Sequence, residues 1–86
     1  MRIYKYTLSI TDEQTVELPL GAKILSIQTQ GEMPQLWALV NDLQERKQSR
    51  RIRICGTGHQ IPDSPGEYLG TFQMHDGSLV FHAFEF

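Results

Sequence analysis

The densest chemistry in the chain is basic. Five of its eight Lys and Arg residues (Arg46, Lys47, Arg50, Arg51 and Arg53) fall in the window 46–53, which carries net +5, while residues 1–45 carry −3 and residues 54–86 carry −4. The run Arg51-Ile52-Arg53-Ile54-Cys55 alternates polar and apolar. An extended chain there puts Ile52 and Ile54 on one face and Arg51, Arg53 and Cys55 on the other. Two guanidinium forks about 6.5–7 Å apart suit a phosphate diester or a carboxylate pair. Gly56-Thr57-Gly58-His59 follows at once. Its glycines permit positive φ and let backbone N–H groups converge on an anion, with His59 as a further donor. The competing reading is a solvated edge strand, with basic residues that discourage strand addition, followed by an ordinary glycine turn. The run is too short for a dinucleotide fingerprint and lacks the Lys-Ser/Thr of a P-loop.

Other reactive side chains are scattered. His59, His75 and His82 show no metal-ligand spacing, so no metal and no cofactor are expected. His75 adjoins a turn, and His82 shares a face with Val80 and Phe84; neither is assigned a role. Cys55 lies two residues from Arg53 and four from His59, a setting that would favour a thiolate, but no acid–base partner is fixed beside it. No strand face carries paired carboxylates. The chain is therefore expected not to be an enzyme, a small Cys/His enzyme being the remotest reading. Trp37 and the tyrosines supply flat surfaces, and Trp37 is the candidate to stack on a planar ligand.

These residues must be positioned by strands. Alternation predicts strands over Tyr4–Ile10, Val16–Leu18 (stopped by Pro19), Ala22–Gln30, Met33–Val40, Arg51–Cys55, Tyr68–Met74 and Ser78–Phe86. In the third, Leu25 and Ile27 are expected on one face and Ile24 and Ser26 on the other. Gly31-Glu32 and Asp76-Gly77 read as two-residue hairpin turns, and Gly70 as a bulge or a close backbone approach. Residues 41–49 read as a connecting loop. The fold class is all-β: a small antiparallel sandwich or partly open barrel of about seven strands, one domain over residues 1–86. The last strand is apolar on both faces, so either it is central or Phe84 and Phe86 cover a partner subunit. A homo-oligomer is expected.

Length and composition narrow the rest. Eighty-six residues exclude a two-domain enzyme, a dinucleotide-binding fold and a TIM barrel. A net charge of −2 argues against a long nucleic acid as partner. A single cysteine excludes an intrachain disulfide framework. No apolar run approaches the ~18–20 residues that span a bilayer, and Met-Arg-Ile-Tyr-Lys-Tyr lacks a signal-peptide core, so a soluble, cytoplasmic protein without a membrane partner is expected.

Five runs carry a resemblance: Gly21-Ala22-Lys23-Ile24-Leu25-Ser26-Ile27-Gln28, Leu36-Trp37-Ala38-Leu39-Val40, Gly56-Thr57-Gly58-His59, Tyr68-Leu69-Gly70-Thr71-Phe72 and Leu79-Val80-Phe81-His82. Together they resemble a family of short phage and prophage proteins catalogued only as a domain of unknown function. The resemblance implies one all-β unit and a viral or prophage setting in a bacterial cytoplasm. It supplies no catalytic residues, and the Gly-Thr-Gly-His run and His82 match positions characteristic of the family. The function expected is non-enzymatic binding of a small anionic, nucleotide-like ligand as a counter-defence measure, by analogy with unrelated all-β phage proteins that trap nucleotide signals. Arg51 and Arg53 would neutralise phosphate, Gly56, Thr57 and Gly58 offer backbone donors, His59 add a hydrogen bond, and Trp37 stack. The alternative is a protein–protein inhibitor or accessory subunit that sets the same basic strand on an acidic host surface.

Overall fold

A computed structural model describes residues 1–86 as seven antiparallel strands with no helix. These are β1 (Arg2–Thr7), β2 (Glu13–Pro19), β3 (Lys23–Gln30), β4 (Met33–Val40), β5 (Lys47–Gly56), β6 (Glu67–Met74) and β7 (Leu79–Glu85). They form a three-stranded sheet, β1-β4-β3, and a four-stranded sheet, β2-β5-β7-β6. The two sheets face one another as an open sandwich.

Alternation dictates what fills it. Leu36, Ala38 and Val40 of β4 have no exposed surface, and β5 returns Ile52 (0 %) and Ile54 (5 %) from the opposite sheet. Leu8, Leu18, Ala22, Ile27, Phe72, Met74 and Ala83 complete the interior. Burying a side chain of this kind stabilises by roughly 1.5–3 kcal/mol relative to exposure. β7 is an interior strand between β5 and β6, which accounts for its two apolar faces without a partner subunit. Phe81 and Ala83 face the core, while Phe84 meets Tyr68 edge-on at 5.7 Å between centroids.

Several expectations are corrected by local chemistry. β1 ends at Thr7, short of Ile10, because Gln14 ties the following turn: its Oε1 accepts from Ser9 N and its Nε2 donates to Ser9 O. A bulge between Ile24 and Ser26 reverses the phase of β3, so Ile24 and Ile27 turn inward and Leu25 is left 43 % exposed. β5 starts at Lys47, ahead of any apolar signal, because β2 pairs with it from Glu13↔Arg53 to Pro19↔Lys47. β5 is therefore an interior strand, and the edge-strand account of its arginines is wrong. The β6–β7 connection is the four-residue stretch His75-Asp76-Gly77-Ser78, with positive φ at His75 (53°), Asp76 (55°) and Gly77 (89°); Ser78 N donates to His75 O at 3.1 Å, so the expected Asp76-Gly77 turn lies at its centre, but strand pairing closes only at Met74↔Leu79. The Gly31-Glu32 turn is as expected, with φ of 58° and 64°.

One side of the sandwich is sealed by β3 and β6. Thr29 Oγ1 donates to Gln73 O at 2.6 Å, and a Cβ on Gly70 would stand 3.4 Å from Ile27 O. Gly70 is both the bulge and the close approach that its place in β6 suggested.

Candidate functional site

The candidate residues of β5 project from the outer face of the four-stranded sheet, and the ladders place neighbours beside them. Thr15, Arg51 and Phe86 form one rung, Phe86 N donating to Arg51 O at 3.1 Å. Glu13, Arg53, Phe84 and Tyr68 form the next, and Cys55, His82 and Thr71 the third. The face is thus cationic and aromatic at one end and rich in hydroxyl and imidazole at the other.

The two guanidinium groups converge on a ring. Arg51 Cζ lies 4.3 Å and Arg53 Cζ 4.0 Å from the Phe86 centroid, both close enough for cation–π attraction. Their surroundings then differ. The Arg53 side chain is 14 % exposed; its Nη1 donates to Pro65 O at 2.6 Å and its Nη2 to Glu13 Oε1 at 3.1 Å. Arg53 therefore fastens the 57–66 loop to β2 and has little left for a ligand. Arg51 is exposed and pairs with no carboxylate. The expectation of two equivalent phosphate forks is corrected to one free guanidinium and one structural one.

The glycine turn does not present a donor nest. Thr57 N donates to Val80 O and His59 N to Gly56 O, each at 3.1 Å, so these N–H groups are spent inside the fold. A Cβ on Gly56 would stand 2.8 Å from the His59 ring, which packs over it; this close approach is what Gly56 permits. Gly58 takes φ of 84° and is exposed. Beside the turn lies an open cleft of about 340 Å³, whose lining includes Asp12, Glu13, Arg53, Cys55, Gly56 and His59. Its two carboxylates oppose anion binding.

Trp37 is not part of this corner. It sits on β4, in register with Lys5 and Ser26, on the outer face of the other sheet. Stacking by Trp37 on a ligand held by Arg51 is thereby excluded, and Tyr68 (58 % exposed) and Phe86 are the aromatic surfaces on the correct face.

The surroundings of Cys55 do not favour its thiolate. Burial pushes its pKa up, and the charge of Arg53 offsets this only in part. His82 instead anchors a network that inspection of single strands missed. Thr57 Oγ1 lies 2.7 Å from His82 Nε2, Thr71 Oγ1 lies 3.0 Å from His82 Nδ1, and Tyr68 OH lies 2.6 Å from Thr71 Oγ1. The signal was present: folding the β6–β7 hairpin about Asp76-Gly77 already sets Thr71 opposite His82. His75 is remote, its backbone N–H donating to Glu32 Oε2 at the tip of the β3–β4 hairpin. Also missed was Arg50, which turns inward, forms a two-pronged ion pair with Glu85 and donates from Nη1 to Ala22 O at 2.8 Å. Glu85 holds the Arg50 guanidinium even more firmly protonated than usual.

Fold and site together define a small two-sheet β-sandwich with one cationic, aromatic sheet face. The chain belongs to DUF7352, a domain of unknown function, whose family model matches residues 1–86. No curated protein and no solved structure matches it.

Proposed function

We propose that the protein is a non-enzymatic binding protein that holds a small anionic, nucleotide-like ligand against the outer face of the four-stranded sheet. The observation that carries this reading is Arg51, an exposed guanidinium without a carboxylate partner, poised 4.3 Å over the Phe86 ring. A phosphate would take charge-assisted bonds from Arg51, and a base would lie along the aromatic strip of Phe86, Phe84 and Tyr68. Hydroxyls of Thr57, Thr71 and Tyr68 supply polar contacts at the far end. The raised thiol of Cys55, with no base engaged on it, supports binding over catalysis. The biological setting we propose rests on the sequence resemblance alone. It is a phage or prophage protein in a bacterial cytoplasm that withholds a nucleotide signal from host defence.

Calorimetric titration with adenosine 5′-monophosphate and a cyclic dinucleotide tests the reading. Binding by the wild type and a loss of roughly tenfold or more in Arg51→Ala are expected. Equal affinity in both proteins, or no binding by either, overturns it; binding only to an acidic protein surface would favour the inhibitor reading.

A further inference from the structure

A sandwich has four sheet edges, and here three of them are defended. The edges of β3 and β6 lie against one another, joined by the Thr29–Gln73 bond, and each strand carries a bulge. The β2 edge is guarded by chemistry. Ile54 N donates to Asp12 O, so alternation turns the backbone of Gln14, Val16 and Leu18 toward β5 and that of Glu13, Thr15, Glu17 and Pro19 outward. That edge therefore offers two carboxylate-bearing residues and a proline with no N–H.

The fourth edge, β1, has none of these devices except Lys5. Leu8 N donates to Pro34 O at 2.9 Å, continuing the register of Tyr6↔Leu36, Tyr4↔Ala38 and Arg2↔Val40. By the same alternation, Ile3, Lys5 and Thr7 direct their N–H and C=O groups away from β4. No strand pairs with that side, the strand is unbulged, and Ile3 and Tyr4 are 58 % and 43 % exposed.

We infer that a second copy of this chain adds along β1, joining two three-stranded sheets into one of six strands about a two-fold axis at Tyr4. The occupant follows from self-complementarity. An antiparallel pairing must keep core-facing residues with core-facing ones, so the axis passes through a residue. With the axis at Lys5, two like-charged side chains would stand directly opposite, a destabilising arrangement eased only while each ammonium stays turned back across the sheet on Gln30 Oε1. With the axis at Tyr4, Tyr4 meets the partner's Tyr4, Arg2 meets the partner's Tyr6, and Ile3 meets the partner's Lys5. The last pair matches outward N–H and C=O groups on both strands, and aromatic and cation–aromatic cross-strand pairs flank it. Lys5 thus disfavours the register centred on itself. This interface lies on the sheet that does not carry Arg51, so it stands independently of the ligand reading.

Sedimentation equilibrium of the full chain at high micromolar concentration tests the inference. A mass twice the chain's 9.9 kDa is expected for the wild type. In Lys5→Pro the mass should halve with an unchanged circular dichroism spectrum, because the lost N–H points outward and takes no part in the β1–β4 ladder. A monomeric wild type, or a dimer that survives Lys5→Pro, overturns the inference. Should Lys5→Pro not fold, cross-linking decides. In a Cys55→Ser background, Tyr4→Cys should oxidise to a disulfide dimer, its Cα atoms meeting across the axis at about 4.5 Å, while Ile3→Cys, which keeps Lys5 and stands two residues out of register with its copy, should not. The reverse pattern, or no cross-link in either, overturns it.

Discussion

At one end of the outer sheet face, Arg53 has both Nη atoms committed, to Pro65 O and Glu13 Oε1, and most of its surface is covered. Two residues back along β5, Arg51 rests on the same Phe86 ring with its hydrogen-bond donors free. The two side chains share a strand, a face and an aromatic partner, yet one is a fastener and the other an open hand. What separates them is the 57–66 loop, whose Pro65 carbonyl accepts from Arg53 and which takes no side-chain bond from Arg51. Residue type and spacing set the direction in which a side chain points; the rest of the chain decides whether its donors are already in use.

That contrast can be broken in graded ways. The largest loss is expected from Arg50→Ala, which strands Glu85 half-buried and leaves Ala22 O unbonded; chemical denaturation should show a loss of about 3 kcal/mol. Arg53→Ala removes two hydrogen bonds and a cation–π contact, and should cost about 2 kcal/mol while raising amide exchange across residues 57–66. Arg51→Ala should change stability by at most about 0.5 kcal/mol, since the side chain is solvated. Equal stability costs for Arg51 and Arg53 would erase the distinction between them. The smallest effect lies elsewhere. Asp42, bonded to Arg2 and to the N-terminal ammonium, has its pKa lowered from 3.8 to about 2. A depressed carboxylate contributes stability that is fully present above its unfolded pKa and is lost as pH falls through the folded one. Thermal melts of Asp42→Asn should therefore lie below the wild type at neutral pH and converge on it as pH falls from about 4 toward 2.

The core was legible because Leu36, Ala38, Val40, Ile52 and Ile54 alternate without interruption, and period-two burial needs no knowledge of the partner strand. The phase of β3 was not, because a bulge at Leu25 leaves no mark on composition. Arg51 and Arg53 were correctly placed on one face. Their unequal fates rest on a loop carbonyl 12 residues away and a carboxylate 40 residues away, which are tertiary facts. Trp37 failed as a site residue for a related reason: nothing along the chain says that β4 and β5 belong to different sheets.

The central claim is that the open end of this face, at Arg51, is where a ligand sits. Backbone and side-chain NMR shifts recorded during titration with adenosine 5′-monophosphate and a cyclic dinucleotide test it directly. The account predicts saturable shifts confined to Arg51, Phe86, Phe84, Tyr68 and the Thr71–His82 pair. Shifts centred on Asp12, Gly56 and His59 in the neighbouring cleft, or no saturable shift with either probe, would contradict it.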